Sequence, residues 1–522
     1  MELYRTTKSV CPDCVEENDW HQIEAQLLLD HDQNEVLMTK TCERHGEFED
    51  LISTDIREYL RAERFVQKGT GIQHPITSAY GECPTRCGLC SEHGSKTVLA
   101  IIDVTNRCNM ECPVCFANAG TSGYVYEPSL KQLDRMLEAA MKPTFPKKIH
   151  AVQLSGGEPT VREDLPEIAR LVKKYGINHI EVNTNGLRAG DPERGAEYLE
   201  TLKDAGVSTL YLQFDGLSYE PRLKSRVPTV KHGREIPEER RIKLAKFYTE
   251  RQLNVVNNAR KIDFGNVVLV VTVSKGRNDH LLGDIIRYAG ENSDVVRCVN
   301  IQPISLAGRM DKNEIKEVRI THADIVKGIE KQTNGQITTE DFFPIPVEVP
   351  LAKFLETVKG KPDQYDRFST HTQCGRATLA YVNREDGEIS FDPVTRHMKP
   401  EKLYTSLNET STHSKYVAAI KGLMALRHTK PKLFFDLLPL FYKGSHKGAG
   451  EFMRKVLMIG EMWFMDSYNF DFSRVNKCVI HYLVPDERYG ARIIPFCTMN
   501  NFHRPHIERA MSVPVGQYIK SR

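Results

Sequence analysis

The sequence predicts an α/β fold: strand–helix units forming a parallel sheet, with a small cysteine-stapled module before them and an α+β region after them. Two observations carry this prediction. From about Val98 to Ser305, strand-like and helix-like segments alternate through six units, the signature of a parallel sheet with right-handed crossovers. Nine of the 13 cysteines fall in the first 115 residues, in tight groups at positions 11/14/42, 83/87/90 and 108/112/115. Six units fit a partial barrel or an open doubly wound sheet, and in both the active residues gather at the carboxyl ends of the strands.

The elements follow in chain order. Residues 1–65 read as a metal-binding module, in which CPDC (11–14) and TCERHG (41–46) are knuckles. Between them IEAQLLL and EVLMTK form a hairpin joined by DHDQN. Cys11, Cys14, Cys42 and His45 suit a tetrahedral site for one zinc or iron ion. Residues 66–97 carry Cys83, Cys87 and Cys90, whose spacing suits an auxiliary iron–sulfur cluster with one distant partner from Cys374, Cys478 or Cys497. Over residues 98–310 the strands are VLAIIDVT, KIHAVQLS, HIEVNTN, TLYLQFD, NVVLVVTVS and VRCVNIQPIS. Between the fourth and fifth strands lies a long basic stretch, residues 218–252, expected as a solvated insertion plus an ordinary helix. Residues 311–522 form the α+β region, in which the apolar stretches 432–444 and 455–465 are expected as core helices. Cys298, inside a strand, reads as a small apolar residue.

Composition narrows the function classes. Basic residues number 71 and acidic residues 69, so no charge excess favours nucleic acid. The N-terminal MELYRTTKSVCPDC lacks the apolar core of a secretory signal, and no apolar run predicts a membrane-spanning helix. The expected location is the cytoplasm, where disulfides are rare and grouped cysteines point to metal.

The chemistry concentrates at two strand ends. Cys108-Asn-Met-Glu-Cys112-Pro-Val-Cys115-Phe116 directly follows the strand IIDVTN. Three thiolates from one short loop can ligate three irons of a 4Fe–4S cube and leave the fourth open to a small molecule. The next strand ends in Ser155-Gly156-Gly157-Glu158-Pro159, where the glycines let backbone approach a ligand closely. Polar residues end the later strands as well: Asn183 and Asn185, Gln213 and Asp215, Thr272 and Ser274, Asn300 and Gln302.

The CxxxCxxC motif with its following aromatic residue, one strand before GGEP, resembles the radical S-adenosylmethionine (SAM) superfamily. That resemblance implies a catalytic cluster on Cys108, Cys112 and Cys115. Its open iron would chelate SAM, whose reductive cleavage yields a 5′-deoxyadenosyl radical. The cofactor-binding positions it implies are Phe116, Ser155, Gly156, Gly157, Glu158, Asn183, Asn185, Gln213, Asp215 and Asn300. The wider order CPDC…TCERHGEFED, ECPTRCGLCSEHGSKT, IIDVTNRCNMECPVCFANAG, LSGGEPT and LQFDGL resembles the archaeal tetraether lipid synthase group. That likeness implies a TIM-like partial (β/α)6 barrel, a rubredoxin-like N-terminal site and one or two auxiliary 4Fe–4S clusters. It also implies joining of the terminal methyl carbons of an archaeol-type phospholipid, contact with the inner membrane face, and an electron donor such as a ferredoxin or flavodoxin. The two apolar stretches would then line a tunnel for the lipid tails.

Two other readings compete with the lipid reading. A radical SAM enzyme could instead modify a pterin-like small molecule, for example by methylation, or a peptide. A non-catalytic iron–sulfur electron-transfer protein would explain the N-terminal knuckles but would need neither GGEP nor the polar strand ends.

Overall fold

The computed structural model describes the chain except residues 73, 76–82, 143–148, 232–233, 311, 361–364, 411–414, 438, 440–444 and 521–522. At its centre is a twelve-stranded sheet. Its middle consists of the six expected strands, Leu99–Thr105, Ala151–Gly156, His179–Thr184, Thr209–Gln213, Val267–Val273 and Val296–Pro303. They pair in chain order and all in parallel. Side chains alternate between faces, so Leu154, Val182, Leu212 and Val271 turn outward and are completely buried beneath helices.

Five long helices follow the strands: Leu130–Ala140, Leu165–Lys174, Gly195–Ala205, Glu238–Lys261 and Leu282–Glu291. Local chemistry sets their ends. Ser129 accepts from the Gln132 N–H at 3.3 Å while the Gln132 side chain accepts from the Ser129 N–H at 2.9 Å, a reciprocal cap. Gly206 stops the third helix at φ +107°, a conformation costly for any residue with a Cβ. The fold is the expected TIM-like partial (β/α)6 barrel.

Residues after 311 extend this sheet at both edges. Val456–Met462 joins the sixth strand in parallel, and Gly375–Glu385 pairs antiparallel to it. On the other side, Ile480–Asp486 joins the first strand in parallel and Gly490–Pro495 pairs antiparallel to it. The stretch 455–465 is therefore mostly a strand, where a core helix is expected from sequence. A short apolar run has no decisive periodicity, and the sheet edge it meets selects the strand. The other stretch, 432–444, begins as helix Pro431–Leu437, and 438 and 440–444 lie outside the described residues.

The N-terminal module is a four-stranded antiparallel sheet of Glu2–Ser9, Ile23–Asp30, Glu35–Cys42 and Gly46–Ser53. Its core of Leu27, Val36, Met38 and Tyr59 is completed by Trp463 from the C-terminal region. Buried ion pairs fix the docking. Arg319 contacts Asp50 at 2.8 Å and Asp466 at 2.7 Å, and Arg5 contacts Asp471 at 2.8 Å.

The basic stretch is the expected insertion and helix, with one difference. Arg222 and Arg226 are 0% and 7% exposed, and helix Glu238–Lys261 buries Ala245, Val255, Val256 and Ala259. The surface part of the segment, with Lys231, Arg234, Glu235 and Arg240, is exposed as expected of a solvated insertion. Arg222 and Arg226, drawn inward by the buried acceptors Gln252 and Asp215, make the rest a packed cover. Among the described residues, no helix is long and apolar enough to cross a membrane.

Candidate active site and metal centres

The N-terminal donors form a compact tetrahedron. His45 Nδ1 lies 3.4 Å from Cys11 Sγ, 3.4 Å from Cys14 Sγ and 3.6 Å from Cys42 Sγ, and the Cys14 and Cys42 sulfurs are 3.7 Å apart. These are edge lengths expected around one ion with Zn–S near 2.3 Å and Zn–N near 2.0 Å. Burial opposes the Cys42 thiolate, but the backbone N–H groups of Arg44 and His45 outweigh it and hold the thiol down to about 6. Burial pushes Cys14 up to about 12. Glu17 lies 3.3 Å from the outer His45 nitrogen and orients the ring.

The catalytic loop follows the first barrel strand. Cys108, Cys112 and Cys115 gather in one apolar cluster with Met110, Val227, Ala245 and Tyr248, so the cover segment closes over the loop. Burial pushes the Cys112 thiol up to about 11 and Cys108 higher still. Bare thiolates are disfavoured in such a place, and a bound cationic cluster compensates them. Among the described residues their sulfurs do not crowd together as the N-terminal donors do. A cube spreads its thiolates over separate irons, whereas the tight N-terminal set suits a single ion.

Arg309, which sequence reasoning missed, clamps this loop. Its backbone exchanges hydrogen bonds with that of Cys115 at 2.8 and 2.9 Å, and its Nε donates to the Cys112 carbonyl at 2.7 Å. Gly308 precedes it at φ +68°, where a Cβ would stand 2.3 Å from the Phe116 carbonyl oxygen. Phe116 packs on Phe496, with ring centroids 5.8 Å apart.

The GGEP turn lies against the same loop. The Gly157 N–H donates to the Thr105 carbonyl at 2.7 Å and the Glu158 N–H to the Arg107 carbonyl at 2.8 Å. A Cβ at Gly156 would meet the Thr105 oxygen at 2.0 Å, and one at Gly157 the Arg107 oxygen at 2.2 Å. The glycines thus permit approach to the cluster loop itself. Glu158, 1% exposed, accepts from the Thr160 N–H and hydroxyl, the Thr184 hydroxyl and the Asn185 N–H at 2.6–3.1 Å. Its carboxylate braces two strand ends.

The remaining strand-end residues take distinct places. Asn183 donates to Ser155 at 3.3 Å, and Asn185 reaches Asn109 in the cluster loop at 2.7 Å. Gln213 donates to Asp215 at 3.2 Å. Asp215 is gripped from two sides by Arg226, at 2.5 and 3.0 Å, and Arg226 also donates to Thr272 at 3.1 Å. Burial opposes the Asp215 charge, but Arg226 outweighs it and holds the carboxyl below the usual carboxylate range. Arg226 also stands within electrostatic reach of Cys112 and Cys115. Asn300 lies deeper in the barrel, bonded to the Tyr211 hydroxyl. Cys298 faces the same interior, its thiol pushed up to about 12 by burial and by Glu181.

Cys374, Cys478 and Cys497 stand at the tips of the added edge strands and come within electrostatic reach of one another around the buried Arg474. Cys83 and Cys87 are in contact, with Cys90 close to both. Cys497 packs into the apolar clusters that also hold Cys87 and Cys83.

Comparison with known proteins accounts for this arrangement. A radical SAM superfamily profile matches residues 102–289, the stretch holding the cysteine loop and GGEP. A 7,8-dihydro-6-hydroxymethylpterin dimethyltransferase of Methanocaldococcus jannaschii is 38% identical over 532 aligned residues, spanning 99% of this chain and 97% of that protein. This chain belongs to the radical SAM superfamily. As a radical SAM enzyme it uses a 4Fe–4S cluster and SAM, and its N-terminal module, matched over residues 3–54 by an HMPTM N-terminal zinc ribbon profile, holds a single metal ion. A probable GTP 3′,8-cyclase of Methanothermobacter thermautotrophicus is 25% identical over 276 residues, 53% of this chain and 72% of that one. The crystal structure of methylornithine synthase aligns with 46% of this radical SAM chain and 64% of its own at 16% identity and TM-score 0.31.

These findings correct the finer resemblance. The full-length relative is a pterin methyltransferase, which overturns the tetraether lipid synthase likeness, the lipid coupling activity and the archaeol-type phospholipid as partner. The cysteine order misled because metal-binding segments are reused with different substrates.

Proposed function

We propose that this radical SAM enzyme methylates a reduced pterin of the 7,8-dihydro-6-hydroxymethylpterin class. The observation that carries the reading is 38% identity to the pterin dimethyltransferase along essentially both whole chains, zinc ribbon included. Bound on the cysteine loop, the cluster and SAM would supply a carbon radical able to take a hydrogen atom from the substrate and leave as 5′-deoxyadenosine, and the incoming methyl group would come from a separate one-carbon donor. The chain's own residues build the place for this: Arg309 and the GGEP turn fix the loop, and the Arg226–Asp215 pair ties the cover segment over it. For the remaining cysteines we propose auxiliary iron–sulfur ligation by Cys83, Cys87 and Cys90 together with Cys374, Cys478 and Cys497. The cationic Arg474 among the latter would offset thiolate charge.

The test is anaerobic expression in a host supplied with 7,8-dihydro-6-hydroxymethylpterin, followed by mass spectrometry of its pterins. Pterins carrying one and two added methyl groups are expected, absent from an empty-vector culture and from a Cys112→Ala culture. An unchanged pterin pool from cells holding iron-loaded protein that cleaves SAM overturns the reading.

A further inference from the structure

The barrel interior carries a polar constellation that neither the cluster loop nor the fold needs. On the helix-facing side the barrel strands are apolar until their carboxyl ends, as at Val152, Leu154, Ile180, Val182, Leu210 and Leu212. On the inner side Gln153 faces Glu181 across the second and third strands, and Asn183 faces Tyr211 across the third and fourth. Barrel interiors packed only for stability are filled with branched apolar side chains, and polar groups placed there lose hydration. Here Gln153 donates to one Glu181 oxygen at 3.0 Å, and His179 stands 2.8 Å from the other. The Tyr211 hydroxyl oxygen accepts from Gln302 at 3.1 Å and from Asn300. Burial pushes the Tyr211 hydroxyl well above its usual range, so it keeps its proton, and neither amide takes that proton up.

The inner set therefore offers a carboxylate with lone pairs to spare, a phenol with an uncommitted O–H, and amides that both donate and accept. One edge of a pterin matches it. The 2-amino group and N3–H are adjacent donors suited to the two oxygens of a carboxylate, and O4 beside them is an acceptor suited to the phenol. We infer that Glu181 binds the 2-amino and N3–H groups of the substrate pyrimidine ring and that Tyr211, set by Asn300 and Gln302, donates to O4. This rests on the pterin reading above and assigns its substrate-binding residues.

Depth supports the assignment. Glu181 precedes the carboxyl end of its strand, Thr184, by three residues, or about 10 Å at ~3.3 Å per residue. A fused bicyclic ring held there by its pyrimidine edge presents the opposite, C6–C7 edge upward to the strand ends, where the cluster loop and GGEP lie. An apolar chain would instead leave the spare acceptor sites of Glu181 and the Tyr211 O–H unused.

The experiment uses the full, anaerobically reconstituted enzyme with SAM. It measures binding of 7,8-dihydro-6-hydroxymethylpterin and of the matching lumazine, in which an oxo group replaces the 2-amino group. The wild type is expected to prefer the pterin by about 10-fold or more, the size of a lost charged hydrogen bond. Glu181→Gln, whose amide can donate to the 2-oxo group, is expected to erase that preference; Glu181→Asp restores it at weaker affinity. Tyr211→Phe is expected to weaken both ligands alike, since both carry O4, and it tests the assignment even if Glu181→Gln fails to fold. Wild-type preference retained in Glu181→Gln, or both ligands unaffected in Tyr211→Phe, overturns the inference and leaves the pterin reading standing. A wild-type enzyme that binds neither ligand overturns both.

Discussion

Single atoms decide much at the cluster loop. Gly156 sits at φ +128° with no room for a Cβ beside the Thr105 carbonyl. Gly156→Ala is expected to cost about 3 kcal/mol from clash and strain together, visible as a lower Tm and a lower iron–sulfur content with the N-terminal ion unchanged. Glu158 collects hydrogen bonds from Thr160, Thr184 and Asn185. Glu158→Leu leaves those donors buried without acceptors, so a loss of about 3 kcal/mol is expected in urea unfolding of the loaded protein. An isostable Glu158→Leu protein would show that the brace is dispensable. Gly156 and Glu158 were legible in the sequence as a motif, but what they touch was not. Their spacing marks a turn that must come close to something, and only the fold shows that the first partner is the cysteine loop.

Elements dock through buried charge. Asp471 receives Arg5 and Thr7 from the first strand of the zinc ribbon. Burial opposes its charge, yet Arg5 outweighs that and lowers the carboxyl to about 2. A folded pKa below the unfolded value of about 3.9 gives stability that is full above that value and lost as pH falls through about 2, roughly 2 kcal/mol in all. Acid unfolding followed between those limits should therefore be shallower in Asp471→Asn, which begins less stable at neutral pH. At the metal of the same element, Cys14→Ser is expected to release the single N-terminal ion while the iron–sulfur content stays, as metal analysis of the purified protein would show. Loss of both together would mean that the ribbon is needed for the barrel to hold its cluster.

Across the whole molecule, the cysteine groups are brought together by strands that enter the sheet from far along the chain. Cys374 lies just before Gly375–Glu385, Cys478 just before Ile480–Asp486 and Cys497 just after Gly490–Pro495. Replacing Cys374, Cys478 and Cys497 together by alanine is expected to lower iron content while sparing the N-terminal ion. A triple variant with full iron would exclude them as ligands. Offered archaeol phospholipid in place of a pterin, the enzyme is expected to return the lipid unchanged by mass spectrometry, because the barrel interior presents Glu181, Tyr211 and amides where an isoprenoid tail would need an apolar wall.

By itself the sequence determined whatever local spacing encodes: the six parallel strands, the helices after them, the CxxxCxxC loop at the first strand end, GGEP at the second, and four N-terminal donors for one ion. Those features depend on residues a few positions apart, and periodicity or ligand spacing reports them directly. The tertiary structure alone decided that 455–465 is a strand, that Arg226 turns inward to Asp215, that Arg309 clamps the cysteine loop, and that alternate residues of neighbouring strands form one polar interior. Each depends on partners that only the fold brings together, from 11 residues apart for Arg226 and Asp215 to 197 for Arg309 and Cys112. An arginine in a basic run reads as solvated until a buried carboxylate is placed beside it, and a substrate's complement exists only once the strands that share it are paired.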